Sequence, residues 1–139
     1  RVVRRRLLWS QADDGIGRAL FDLYRRLIEI RRNHAGLTSP NFHPPYWEKW
    51  RTWLDADGFG IDEARQVVVY HRWGNAADGR LEKFYIVLNF SQYTQPVELT
   101  FPEDDGWIDL LSGWSPTVIA HRLWFDVGPN WGHIFYKKY

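Results

Sequence analysis

The chain has 139 residues, 45% hydrophobic and 25% charged, with a formal net charge of +1. That length suits one domain with an appendage, and nine Trp, eight Phe and seven Tyr carry too much apolar area for a disordered chain. With no cysteine there is no disulfide framework, zinc ribbon or thiol nucleophile, and no apolar run approaches the ~20 residues that span a bilayer.

The small net charge hides an asymmetry. Residues 1–36 hold nine Arg and four acidic residues, whereas the remainder holds nine basic and thirteen acidic ones. The run Arg4, Arg5, Arg6 has the charge of a nucleic-acid patch, but no nucleic-acid motif accompanies it, so no nucleic-acid partner is expected. The lack of cysteine fits a reducing compartment such as the cytoplasm. The chain starts at Arg1 and contains no methionine, so a removed signal peptide would leave no trace.

In chain order, residues 13–34 read as a long amphipathic helix. Ile16, Leu20, Leu23, Leu27 and Ile30 recur at steps of four and three, and Phe21, Tyr24 and Ile28 widen the stripe. Ser10 with Asp13 has capping-box spacing, Asp13 or Asp14 can cap directly, and Asp22 with Arg26 forms a favourable pair. Gly36 is expected to end the helix in a left-handed conformation. So wide a stripe predicts an uncovered apolar face and self-association through the helix.

Residues 38–45 read as loop, and further on the period changes to two. Val67, Val69, His71 and Trp73 alternate with Val68, Tyr70 and Arg72, and residues 74–79 read as a turn. Phe84, Ile86, Leu88 and Phe90 form a second strand face, and Val97, Leu99 and Phe101 a third. Residues 107–111, 123–127 and 134–139 supply three more short runs between turn residues. The expected fold is mainly β, an antiparallel β-sandwich preceded by one long amphipathic helix. The division falls into residues 1–36, arm and helix, and residues 37–139, the β domain. Val67, Val69, Ile86, Leu88, Val97, Leu99 and Phe125 are expected inside.

Signals for chemistry are sparse. His34, His43, His71, His121 and His133 lack metal-type spacing, and structural roles are expected for them. Glu103, Asp104 and Asp105 read as a solvated acidic loop, since the EF-hand spacing is missing. No Walker-type or dinucleotide glycine loop and no nucleophile elbow is present, so neither a cofactor nor a metal is expected. Asn89-Phe90-Ser91 matches a glycosylation sequon, yet it closes a predicted strand and reads as structural.

Taken together, the segments resemble the end of an α-amylase superfamily enzyme (glycoside hydrolase family 13). Residues 23–37, "LYRRLIEIRRNHAGL", resemble the last barrel helix, and "RLLW" (Arg6 to Trp9) resembles the stretch leading into it, with Leu7 and Leu8 in place of Pro-Met. "VVVYHRW", "YIVLNFSQYTQPVEL" and "IDLLSG" resemble strands and turns of the C-terminal β domain. The resemblance implies a parent enzyme acting on α-glucans, whose catalytic barrel would be this chain's partner. That family's catalytic carboxylates lie on earlier barrel strands that have no counterpart here, so catalysis by this chain alone is not expected. The implied role is a non-catalytic supporting domain of a glycoside hydrolase or transglycosylase. The alternative is a carbohydrate-binding module using exposed tryptophans. Trp47, Trp50 and Trp53, three apart after Pro44-Pro45, are the candidate α-glucan platform, while Trp73, Trp107, Trp114, Trp124 and Trp131 are expected to pack.

Overall fold

A computed structural model of the chain describes Ser10, residues 13–45 and residues 52–139. It divides into two compact units between Asn33 and His34, three residues before the expected boundary at Gly36.

The first unit contains one α-helix, α1 (Gly15–Asn33). Asp14 caps it, its carboxylate accepting the Gly17 N–H at 3.2 Å. On the polar face Asp22 bridges Arg18 at 3.3 Å and Arg25 at 3.1 Å. The apolar stripe is exposed at most positions: Ile16 is 88% exposed, Tyr24 61% and Ile28 57%.

The second unit is an antiparallel β-sandwich. It opens on a 3-10 turn (Ala35–Thr38) followed by β1 (Phe42–His43), β2 (Gly60–Asp62), β3 (Val67–Asn75), β4 (Leu81–Asn89), β5 (Gln95–Thr100), β6 (Ile108–Asp109), β7 (Arg122–Val127) and β8 (Trp131–Lys138). The larger sheet runs β1-β3-β4-β8-β6, with β2 also on β3, and the smaller sheet pairs β5 with β7. Neither β1 nor β2 is evident in the sequence; each is a short segment zipped onto the free edge of β3. The core between the sheets joins Val67, Val69, Tyr85, Val87 and Phe135 from one side to Val97, Leu99, Leu123 and Val127 from the other, with Phe101 and Trp107 among them.

Register corrects part of the expected core. Val69 pairs with Val87 and Val67 with Asn89, so the odd positions of β4 face the sandwich interior. Ile86 and Leu88 therefore point the other way, since a strand's side chains alternate. Ile86 is buried on that second face with Phe84 and Glu82, Leu88 is only half-buried, and Phe90 is 61% exposed. Phe125 is likewise half-buried, packed against the core rather than within it. Val67, Val69, Val97 and Leu99 are buried as expected.

The second face of β4 is covered by the residues that follow α1. Gly36 lies in the 3-10 turn without a left-handed φ, so it does not end the helix as expected. It is small because the turn presses on the sheet: a Cβ there would meet Phe84 at 3.0 Å and Glu82 at 3.1 Å. Gly74 answers from the sheet side, where a Cβ would meet Ser39 at 2.7 Å and the Gly36 Cα at 3.0 Å. Consequently β3 runs through Gly74 rather than turning there, and the reversal comes at residues 76–80, where Gly79 takes φ +82°.

Candidate functional site

Two buried carboxylates anchor the sandwich. Glu82, 1% exposed, accepts hydrogen bonds from the Gly36 N–H at 2.9 Å and the Tyr136 hydroxyl at 3.1 Å, and contacts His34 Nδ1 at 3.0 Å. Burial and the neighbouring Glu82 charge push the Tyr136 phenol up to about 12. Asp109, fully buried, receives the backbone N–H groups of Ile134 (2.9 Å), Leu111 (3.2 Å) and Ser112 (3.2 Å), the Ser112 hydroxyl and His133 Nδ1 at 3.0 Å. Burial alone would raise its pKa, but these donors outweigh it and hold the carboxyl far below the usual range.

The other histidines also serve structure. His71 stacks on Tyr85 and on Trp73, ring centres 5.0 Å apart in each case, and lies 5.2 Å from His43. Burial lowers its pKa to about 4, and charge on His43 and Lys83 acts in the same direction. An unfolded imidazole titrates near 6.5, so the unfolded chain takes up this proton first as the pH falls. The stabilisation is complete above pH 6.5 and is lost towards pH 4. We expect the chain to lose on the order of 2 kcal/mol over that window through this group. Thermal melts at stepped pH should show a shallower acid-side decline for His71→Phe, and parallel declines would refute the assignment.

His121 receives no metal-like company. Its backbone N–H and that of Ala120 donate to Asp104 at 2.6 and 3.1 Å, while Lys137 bridges Glu103 and Asp105. The acidic loop is solvated as expected, with Asp104 and Asp105 exposed, while these contacts tie it to the sandwich. Among the described residues no group of three or more His, Asp or Glu is placed to hold a metal ion. Asn89 of the sequon is 2% exposed, and its amide group is spent on internal hydrogen bonds.

Among the described residues of the β unit, a cleft of about 330 Å³ opens on the outer face of the smaller sheet. Trp53 and Trp124 both line it, 53% and 69% exposed. Its floor is the solvent side of β5, with Pro96, Glu98 and Thr100, and Trp124 stands across from Glu98 in the β5–β7 register. The other wall is formed by the loop carrying Asp55 and Gly58 and by Asp62 at the end of β2 with Arg65 in the turn after it. Of the three candidate platform tryptophans, Trp53 borders this cleft, and Trp47 and Trp50 lie outside the described residues. Trp107 is buried as expected, but Trp131, 42% exposed, and Trp124 are not packing residues. The sequence carried a signal for Trp124, because it is in phase with Arg122 and Asp126 and opposite in phase to Leu123 and Val127.

No protein-family model matches the chain, and no curated protein matches it either.

Proposed function

We propose that this chain is the non-catalytic C-terminal supporting part of an α-amylase-like glycoside hydrolase or transglycosylase acting on α-glucans, with α1 as the element that docks on the catalytic barrel. The observation that carries this reading is the exposed stripe of α1, from Ile16 through Tyr24 to Ile28. An amphipathic helix with its apolar side in solvent is made for a surface that covers it. The resemblance of that same helix to a last barrel helix supports the choice of partner. The carboxylates support the non-catalytic role: Glu82 and Asp109 are buried in hydrogen bonds, Asp62 pairs with Arg65, and Glu98 with Arg122. Hydrolysis of a glycosidic bond instead needs two carboxylates about 5–9 Å apart across an open site.

The test is to express this chain together with the encoded residues that precede Arg1 and to assay reducing-sugar release from starch and maltodextrin. We expect activity from the longer product and none from residues 1–139 alone. Tyr24→Glu with Ile28→Glu should lower the melting temperature of the longer product. The reading fails if that product does not act on α-glucans, or if residues 1–139 cleave them through one of their own carboxylates.

A further inference from the structure

We infer that Arg72 is an ion-pair anchor, placed to receive a carboxylate from the part of the parent chain that covers the outer face of the larger sheet. The inference rests on the proposed parent enzyme and adds to it a second docking surface, on the β unit itself, with the chemistry of the group that meets it.

The surface follows from register. On β3 the even positions look away from the sandwich interior. Val68 pairs with Ile61 of β2 and Leu88 of β4, and Tyr70 pairs with Ile86, which pairs in turn with Ile134 of β8. Those six side chains form one face beside the 3-10 turn. Ile86 is buried among them and the other five are half-buried. Gly132 lies on the same face, where a Cβ would meet the Leu88 side chain at 2.9 Å and the Val87 carbonyl at 2.7 Å, so the sheet stays smooth there. A strand that is apolar on both faces belongs between two layers, whereas a sheet with one side in water alternates apolar and polar residues.

Arg72 supplies the chemistry. It is half-buried on this face, opposite Phe84 of β4 and Phe42 of β1. Its charge reaches the Tyr70 phenol, where it opposes the upward push of burial. Nη2 donates to the Ser39 carbonyl, but Nε is buried and has no acceptor among the described residues. Nε and a neighbouring terminal N–H make the fork that a carboxylate fills with two parallel hydrogen bonds, and a charged donor left without an acceptor is costly. Nearby carboxylates are committed elsewhere. Glu82, on the same face, is held by Gly36, Tyr136 and His34, while Asp62 pairs with Arg65 and Asp78 with Lys138.

The same charge selects the occupant. A second copy docked by this face would bring two guanidinium groups together with no free carboxylate on either side. An anionic polymer needs a stripe of cations, and Arg72 is a single one in an apolar setting. A preceding part of the same chain that offers one carboxylate among apolar side chains answers both parts of the surface.

The experiment uses the absence of cysteine from residues 1–139. Leu88→Cys is placed in residues 1–139 and in the longer product that includes the encoded residues before Arg1. Val68→Cys is the second reporter, should the first disturb the fold. Labelling by a maleimide is followed through the mass of the peptide that carries the new cysteine. We expect residues 1–139 to react at a rate independent of protein concentration, and the longer product to react about tenfold more slowly. In the longer product Arg72→Met should remove most of that protection. Arg72→Lys, which keeps the charge without the fork, should remove less of it. In residues 1–139 Arg72→Met should leave labelling unchanged, and circular dichroism checks the fold of each variant. The inference is overturned if the reporters label equally fast in both products or if Arg72→Met leaves the protection intact. It is also overturned if labelling of residues 1–139 slows as concentration rises, the mark of a second copy on this face. Starch hydrolysis by the longer product is read separately. Protection without hydrolysis would refute the parent-enzyme reading alone, and hydrolysis without protection would refute this inference alone.

Discussion

Asn89→Ala is expected to lower the unfolding free energy by about 4–5 kcal/mol, because buried polar groups left without partners cost about 1–3 kcal/mol each. The Asn89 amide nitrogen donates to the carbonyls of Tyr93 at 2.8 Å, Gly128 at 2.9 Å and Val127 at 3.0 Å. Its oxygen accepts the Ser91 N–H at 2.9 Å and the Ser91 hydroxyl at 2.8 Å. One side chain at the end of β4 therefore holds the turn after it and the end of β7, and so joins the two sheets at that edge of the sandwich. Removal strands several of those groups together, and no backbone adjustment satisfies them all. Asn89→Asp should be no milder, because a carboxylate would face three carbonyl oxygens. Urea denaturation gives the measurement, and a loss below about 1 kcal/mol, the worth of an ordinary hydrogen bond, would refute the hub. The same geometry predicts that the folded protein carries no glycan at Asn89.

Phe135→Ala should cost about 3–5 kcal/mol, the range for truncating a fully buried aromatic and leaving its cavity. Phe135 is completely buried, with ring contacts to Phe125 at 5.2 Å, Phe101 at 5.7 Å and Trp114 at 5.8 Å. Those neighbours come from different strands and loops, so the space cannot close by moving one of them. Phe90→Ala, at a 61% exposed position in the same unit, is the control and should change stability by no more than about 0.5 kcal/mol. Equal denaturation midpoints for the two variants would contradict the core assignment.

These positions show what the sequence could and could not reveal. The helix and the main strands were legible because each repeats its pattern over several residues, as in Ile16 to Ile30 and Val67 to Trp73. On β4 the rule failed for a physical reason. Phe84, Ile86 and Leu88 alternate correctly, but both faces of that strand are apolar, and period alone cannot tell which face meets the second sheet. The answer lies in the pairing of Val69 with Val87, which no local pattern contains. Gly74 was misread for a related reason: a glycine that admits a crossing backbone looks the same in sequence as one that makes a turn. The cleft was half legible. Trp53 stood out in a run of tryptophans and Trp124 was marked by its phase on β7, but Asp55, Arg65 and Glu98 are brought together only by the way the loops lie on β5.

The Glu82 clamp bears on where this β unit can be separated and reused. Residues 34–36 follow the helix directly in sequence, yet His34 and Gly36 supply two of the three partners of a buried carboxylate. A graft that begins the unit at Leu37 would keep every strand and still leave the buried Glu82 carboxyl with the Tyr136 hydroxyl in place of three partners. One that begins at His34 carries the whole arrangement with it. The natural seam for recombination, and for a protease that would release an intact module, is therefore the peptide bond between Asn33 and His34.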